Sequence, residues 1–334
     1  MRLHKGRILA VAAVAIAAAW TASAENPAPA GLEFRTDSTL VVVPVTVVDR
    51  NGAIVNGLAD NAFTLTEDGV QQQIRSFSEE EAPVSMGIVL DVSGSMARVL
   101  GAAKESLRAL MTDANPDDEA FLNGVSTRPR AYSGFTGGFE DIVRRLESET
   151  AYGDTAVIDT IYGSLGQLRA GVHPRKALVV ISDGIDNHSR HTSGELMRLA
   201  VETDAQIYTI GVSEGAPRTK GLEFAEVMQG LSFLRELASR TGGISFVVRD
   251  GTNIAKAAAM IGRALRTQYV VGYAPRDSRG NGQWRKIGVK VAGQGLRAYA
   301  RTGCWPDDSV SDFMHSSRLP FHTFMRRESE EDSK

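Results

Sequence analysis

The chain has 334 residues, 43% of them hydrophobic and 23% charged. It is long enough to bury a sizeable core, and the composition excludes wholesale disorder or a fibrous repeat. Lys and Arg number 37 against 40 Asp and Glu, a formal charge of −3, so the broad basic surface that displaces counterions from nucleic acid is missing. The single cysteine, Cys304, excludes an internal disulfide and a cysteine-built zinc site.

The N-terminus reads as an export signal. Basic Met1–Arg7 precedes the apolar run Ile8–Trp20, and Ala22-Ser23-Ala24 offers small residues for cleavage before Glu25. The 13-residue run is shorter than the about 20 residues a spanning helix needs, although an uncleaved anchor is the alternative. No cysteine follows it to carry a lipid, and no later segment is apolar enough to span a bilayer. The expectation is an exported protein, periplasmic or extracellular. Loss of Arg2, Lys5 and Arg7 with the signal takes the charge from −3 to −6.

Thr39–Val48 is rich in β-branched residues and ends at the turn sequence Asp49-Arg50-Asn51-Gly52. Phe63–Glu67 and Val70–Phe77 read as strands joined at Asp68-Gly69, with Pro44 marking an edge or an interruption. From Pro83 the pattern alternates. Predicted strands are Ser85–Leu90, Ala120–Val125, Ala177–Ser182, Gln206–Val212 and Ile244–Val248. Predicted helices are Met96–Met111, Gly138–Glu147, Ala156–Leu168, Ser193–Thr203, Leu231–Arg240 and Asn253–Leu265. Such alternation means βαβ units, and Leu178-Val179-Val180-Ile181 lacks polar alternation, as a central strand buried on both faces does.

After Arg266 the chain turns β again, in Tyr269–Tyr273, Trp284–Val291 and Arg297–Arg301, with turn-rich Asp277–Gly282 between the first two. Each β flank is too small to bury a core alone. The expected architecture is therefore α/β: a doubly wound, mostly parallel sheet over 83–266, inserted into a small β-sandwich. That sandwich takes its strands from 25–82 and 267–305, with 34–80 pairing to the latter. Pro306–Lys334 holds seven acidic and four basic residues and reads as a polar tail.

In a doubly wound sheet, the carboxyl ends of the strands face one crevice, where ligands bind. Asp91-Val92-Ser93-Gly94-Ser95 ends the first of these strands and Ser182-Asp183-Gly184 ends the buried one, while Gly153-Asp154-Thr155 precedes a helix. Asp91, Ser93, Ser95 and Asp183 would meet there, joined by Thr155. Ser and Asp in such places also serve as helix N-caps, the plainer reading. Two carboxylates and three hydroxyls form an all-oxygen set that suits Mg²⁺, Ca²⁺ or Mn²⁺ and suits zinc or copper poorly.

These three stretches, Asp91-x-Ser93-x-Ser95, Gly153-Asp154-Thr155-Ala156 and Ile181-Ser182-Asp183-Gly184, resemble the loops of a von Willebrand factor type A domain. The resemblance covers about 83–266 and implies a Rossmann-like fold with a metal-ion-dependent adhesion site. It implies that Ser93, Ser95 and Thr155 reach the ion, while Asp91 and Asp183 act directly or through water. The implied function is capture of a carboxylate on a partner protein. Val47–Gly52, Phe63-x-Leu65-x-Glu67-Asp68-Gly69 and Tyr269–Tyr273 resemble the flanks of a bacterial exported group labelled VWFA-related, which supports architecture more than role. Asp154 stands where the family usually has a second glycine, and Leu122-Asn123-Gly124 places polar and flexible residues in a strand that is usually apolar.

Around this set, Asp154, Asp186 and His188 are candidates for a partner-binding rim, with His191 in the same loop and Asp159 behind Thr155. No nucleophile-and-base pattern, Walker loop or His-Glu-x-x-His occurs, so the reading is a binding module and not an enzyme. The alternative is a Mg²⁺-dependent phosphohydrolase using Asp91. That chemistry wants a second acid two residues on to protonate the leaving group, where this chain has Ser93.

Overall fold

A computed structural model of the chain describes residues 40–112, 114–213, 222–275 and 283–305. The signal-like 1–24, the stretch 25–39, the turn-rich 277–282 and the tail 306–334 lie outside the described residues.

In chain order, β1 (Val41–Val48), β2 (Phe63–Glu67), β3 (Val70–Gln72) and β4 (Ile74–Glu81) precede the α/β region. That region runs β5 (Val84–Asp91), α1 (Leu100–Thr112), β6 (Glu119–Val125), β7 (Arg130–Ala131), α2 (Glu140–Ser148) and α3 (Val157–Leu168). It continues with β8 (Arg175–Ser182), α4 (Ser193–Glu202), β9 (Gln206–Val212), α5 (Leu222–Thr241), β10 (Ser245–Val248) and α6 (Gly251–Arg266). Among the described residues, four strands follow: β11 (Thr267–Tyr273), β12 (Arg285–Val291), β13 (Arg297–Ala300) and β14 (Gly303–Cys304).

The central sheet has the order β10-β9-β8-β5-β6-β7, parallel except for β7. The pleat divides its side chains between two cores. Met86, Ile88 and Leu90 of β5 join Val179 and Ile181 of β8 under α1, α2 and α6. Val89, Leu178 and Val180 point the other way, under Ile161 and Leu165 of α3, Leu196 of α4 and Leu234 of α5. Burial on both faces explains why β5 and β8 read as nearly unbroken apolar runs. The expected doubly wound α/β class holds.

The chain moves outward from β5 to β6 and then crosses back to β8 on the other side of β5. The gap between β5 and β8 is therefore the point where the winding reverses, and it is there that the carboxyl ends leave an open crevice.

The flanking strands form two four-stranded sheets, β13-β1-β11-β4 and β14-β12-β2-β3, each drawing strands from both ends of the chain. Val43, Val45, Val47, Tyr269 and Val271 from one sheet share a core with Phe63, Leu65 and Ile287 from the other. Tyr273 crosses between them, donating its hydroxyl to Glu67 at 2.6 Å. β13 pairs only with Val45–Val48, so Pro44 stands where β1 has a neighbour on one side alone, a place that tolerates a missing N–H.

Arg175, at the start of β8, fastens the two crossings between sandwich and α/β unit. Its guanidinium donates to the carbonyls of Ala82 at 3.3 Å and Arg266 at 3.2 Å. Arg266 in turn pairs with the buried Asp118 at 2.7 Å, and Asp118 accepts the Val84 N–H at 2.9 Å.

Three sequence expectations differ by more than a residue or two at an element end, the first being α5, which begins at Leu222 and not at Leu231. The run Val70–Phe77 is not one strand: the chain leaves β3 at Gln73 and changes sheets, β3 pairing with β2 and β4 with β11. The helix expected from Met96 begins only at Leu100, because a 3₁₀ turn over Gly94–Met96 comes before α1.

Candidate metal centre

Asp91 is the last residue of β5 and has no exposed surface. Its Oδ1 accepts the Ser93 N–H at 2.9 Å, which folds the chain back over the strand end. Its Oδ2 accepts the Ser182 hydroxyl at 2.5 Å, from the end of the neighbouring β8. Ser182 Oγ also accepts the Gly184 N–H at 2.9 Å, and Asp183 Oδ1 takes the Ile185 N–H at 3.0 Å. Serine at the end of an apolar strand thus aligns both acid-bearing turns.

The hydroxyls are not used as helix caps. Ser93 holds the N-cap position of the 3₁₀ turn without a side-chain cap bond, and its Oγ lies 3.1 Å from Ser95 Oγ. Ala156, not Thr155, is the N-cap of α3. Thr155 is buried. Neither Ser93 nor Thr155 makes a side-chain cap bond to these helical turns, while Asp91 and Asp183 each accept one nearby N–H.

Backbone bonds tie the three loops together. The Gly94 N–H donates to Gly153 O at 3.1 Å, and Tyr152 N–H to Val92 O at 2.8 Å. Thr155 O accepts the N–H groups of Asn187 and His188, each at 3.0 Å, and Thr155 N–H donates to Asn187 Oδ1 at 2.9 Å. The turns thus converge at the ends of β5 and β8, with Thr155 on the segment between.

The electrostatics are those of an unmatched acid pair. Burial first, and then the charge of Asp183, push the Asp91 carboxyl up to about 6, against the lowering effect of the bonds from Ser182 and Ser93. No salt bridge among the described residues reaches Asp91 or Asp183. Buried charges are normally paired or bound to a metal. Two carboxylates without a basic partner, beside hydroxyls that cap nothing, make a donor set that fits a hard divalent cation. Among the described residues no group of three or more His, Cys, Asp or Glu side chains could hold a metal ion, so an ion here would draw on the hydroxyls as well as the two carboxylates.

The rim residues separate into two kinds. His188 and Asp154 are exposed and face each other, with Nδ1 and Oδ2 3.7 Å apart. Asp186 is half-buried and holds the loop instead, its Oδ1 accepting the Ser189 hydroxyl at 2.6 Å and the Ile158 N–H at 3.3 Å. His191 stacks on Tyr162 with ring centroids 3.9 Å apart, and its Nδ1 lies 2.7 Å from Asp159 Oδ1. Asp159 also accepts the N–H groups of Arg190 and His191. Sequence reading gave Ser182 no site role, although its place at the end of β8 is a usable signal. For Asn187 the sequence carries no such signal.

Residues 86–185 match the family model described as von Willebrand factor type A domain. Solved structures similar to it include BatB, a conserved hypothetical protein from Bacteroides thetaiotaomicron. It is 18% identical over 54% of this chain and 98% of that one, with a TM-score of 0.43. A von Willebrand factor type A protein from Catenulispora acidiphila is 13% identical over 86% and 78% of the respective chains, with a TM-score of 0.44. The vWF domain of the type V pili tip protein Mfa5 from Porphyromonas gingivalis is 14% identical over 56% and 96%, with a TM-score of 0.43. No curated protein matches the chain.

Proposed function

We propose that this is an exported protein-binding module that captures an acidic side chain of a partner protein through a divalent ion, Mg²⁺ or else Ca²⁺ or Mn²⁺. Ser93, Ser95 and Thr155 would reach the ion, and Asp91 and Asp183 would hold it directly or through water. The bound ion supplies an electrophilic centre for an anionic oxygen. Hydroxyl donors cancel none of its charge, so its pull on an outside carboxylate stays stronger than in an all-carboxylate site. Asp154, next to Thr155 in sequence, and His188, whose N–H donates to Thr155 O, would meet the partner's neighbouring residues. The export half of the reading rests on the signal-like Met1–Ala24. Among the described residues no helix is long and apolar enough to cross a membrane.

The observation that carries the proposal is Asp91, wholly buried beside Asp183 with no basic partner among the described residues. The experiment is capture of envelope proteins on the immobilised chain with and without chelator, using wild type and Asp183→Ala. A protein retained by wild type in Mg²⁺, and lost with either chelator or the substitution, supports the reading. Retention unchanged under both contradicts it.

A further inference from the structure

The segment 152–156 has two sides. One meets the Asp91–Ser95 turn; the other walls a cavity of about 470 Å³, whose lining includes Thr127, Arg128, Arg130, Tyr132 and Tyr152. The bonds are direct. Asp154 N–H donates to Thr127 Oγ1 at 3.1 Å, Ser126 Oγ to Tyr152 O at 3.2 Å, and Ala156 N–H to Ser126 O at 2.9 Å. Gly153, at φ +77°, makes the approach possible, since a Cβ there would come within 2.7 Å of Thr127 Oγ1. The cavity therefore opens beside the loop that bears Thr155.

Its chemistry is one-sided. Arg128 and Arg130 are exposed residues of the wall, and no acidic residue lines it. The Arg130 guanidinium lies 4.8 Å from the centroid of the Tyr152 ring, a cation–π contact that narrows its conformations before anything binds. The Tyr132 hydroxyl is already engaged, donating to Glu149 at 2.8 Å. A planar guanidinium held in place is matched by a carboxylate, which it meets with two parallel N–H donors. The chain as a whole is acidic at −3, so this basic ledge would select a local acidic feature and not a partner's net charge.

We propose that the cavity is a second carboxylate subsite, in which Arg130, with Arg128 beside it, takes another acidic side chain of the same partner segment. It rests on the reading that the first carboxylate is captured at the ion. The partner implied is a protein segment with two acidic residues close together in sequence.

The test uses fluorescent Gly-Ser peptides bearing either one Asp or two acidic residues one to three positions apart. They are titrated against wild type, Arg130→Ala and Arg128→Ala/Arg130→Ala in millimolar Mg²⁺, with chelator as a parallel arm. The two-acid peptide is expected to bind wild type about fivefold more tightly than the one-acid peptide. That advantage should vanish in Arg130→Ala and shrink with added salt, while the one-acid peptide binds both proteins alike. Equal binding of the two peptides to wild type, or an advantage that survives in the double variant, overturns the subsite. The chelator arm reads the other claim separately. An Arg130-dependent advantage that ignores chelator supports the subsite and contradicts the ion. Chelator-sensitive binding without Arg130 dependence does the reverse, and no binding by any peptide contradicts both. Arg130 is exposed, so unchanged melting of Arg130→Ala verifies the fold, and Arg130→Lys, which keeps charge without the fork, should retain only part of the advantage.

Discussion

The Ser182 hydroxyl donates to Asp91 Oδ2 at 2.5 Å, joining the carboxyl ends of the two central strands β5 and β8. This bond and the Ser93 N–H stabilise the ionised form of Asp91. Burial and the nearby charge of Asp183 oppose them and leave the carboxyl at about 6. The crevice is thus a place where negative charge is organised but not neutralised.

A pH dependence follows for the ion-free protein. Asp91 is raised in the folded chain from an ordinary value of 3.8 to about 6, so between about pH 4 and pH 6 the folded state holds a proton that the unfolded state has released. Stability from this group is present at the acid end and lost as pH rises through about 6, by an amount on the order of a few kcal/mol. In chelator, urea midpoints of wild type should fall relative to Asp91→Asn across that interval. At pH 7 the ion-free variant should be at least as stable as wild type. It should also lose the stabilisation that Mg²⁺ gives wild type.

Close backbone contact holds the Asp183 turn. Gly184 sits at φ +77°, and a Cβ on it would come within 2.5 Å of the Gly230 carbonyl carbon on α5. Gly230→Ala, which would press its methyl against Gly184 and Ile185, should cost about 1–3 kcal/mol and weaken ion uptake by displacing Asp183. Gly166→Ala on the exposed face of α3, where a Cβ meets nothing within 4 Å, should instead stabilise by about 0.5–1 kcal/mol. Thermal melts of the two variants, with Mg²⁺ titrations alongside, check the contrast.

Asp159 fastens the loop after β8 to the start of α3. Burial alone would raise its carboxyl. The N–H groups of His191 and Arg190, with the His191 ring, outweigh burial and hold it below the usual value. Its stabilising contribution is present at neutral pH and lost as pH falls through the lowered value. Asp159→Ala should cost about 1–3 kcal/mol. It should also speed amide exchange at Arg190 and His191 while leaving the sandwich strand β11 protected. Unchanged exchange in that loop contradicts the clamp.

Local pattern explains which parts of the fold the sequence discloses. β5 and β8 are visible because burial on two faces demands continuous apolar residues, and the acid-bearing turns stand out at their ends. The first half of α5 is hidden because Gly230 reads as a breaker, whereas its missing side chain is what lets the helix pass against Gly184. The change of sheets at Gln73 is hidden because no Gly, Pro, Asn or Asp marks a break between Val70 and Phe77. Asn123 and Gly124 do not interrupt β6. Asn123 Nδ2 donates to Ser164 Oγ at 2.8 Å and to Gln167 at 3.1 Å, and Gly124 makes room for the Tyr132 ring. The Asp159 clamp and the Asn187 contact depend on loop conformation, which no spacing encodes.

The central claim is that Asp91, Asp183, Ser93, Ser95 and Thr155 together hold a hard dication. Its most direct test is calorimetric titration of the chelator-stripped chain with Mg²⁺, Ca²⁺ and Mn²⁺, for wild type, Asp183→Ala and Thr155→Ala. Saturable uptake of one ion per wild-type chain, lost in Asp183→Ala and weakened in Thr155→Ala, is the expected result. No uptake at millimolar ion, or uptake indifferent to both substitutions, would contradict it.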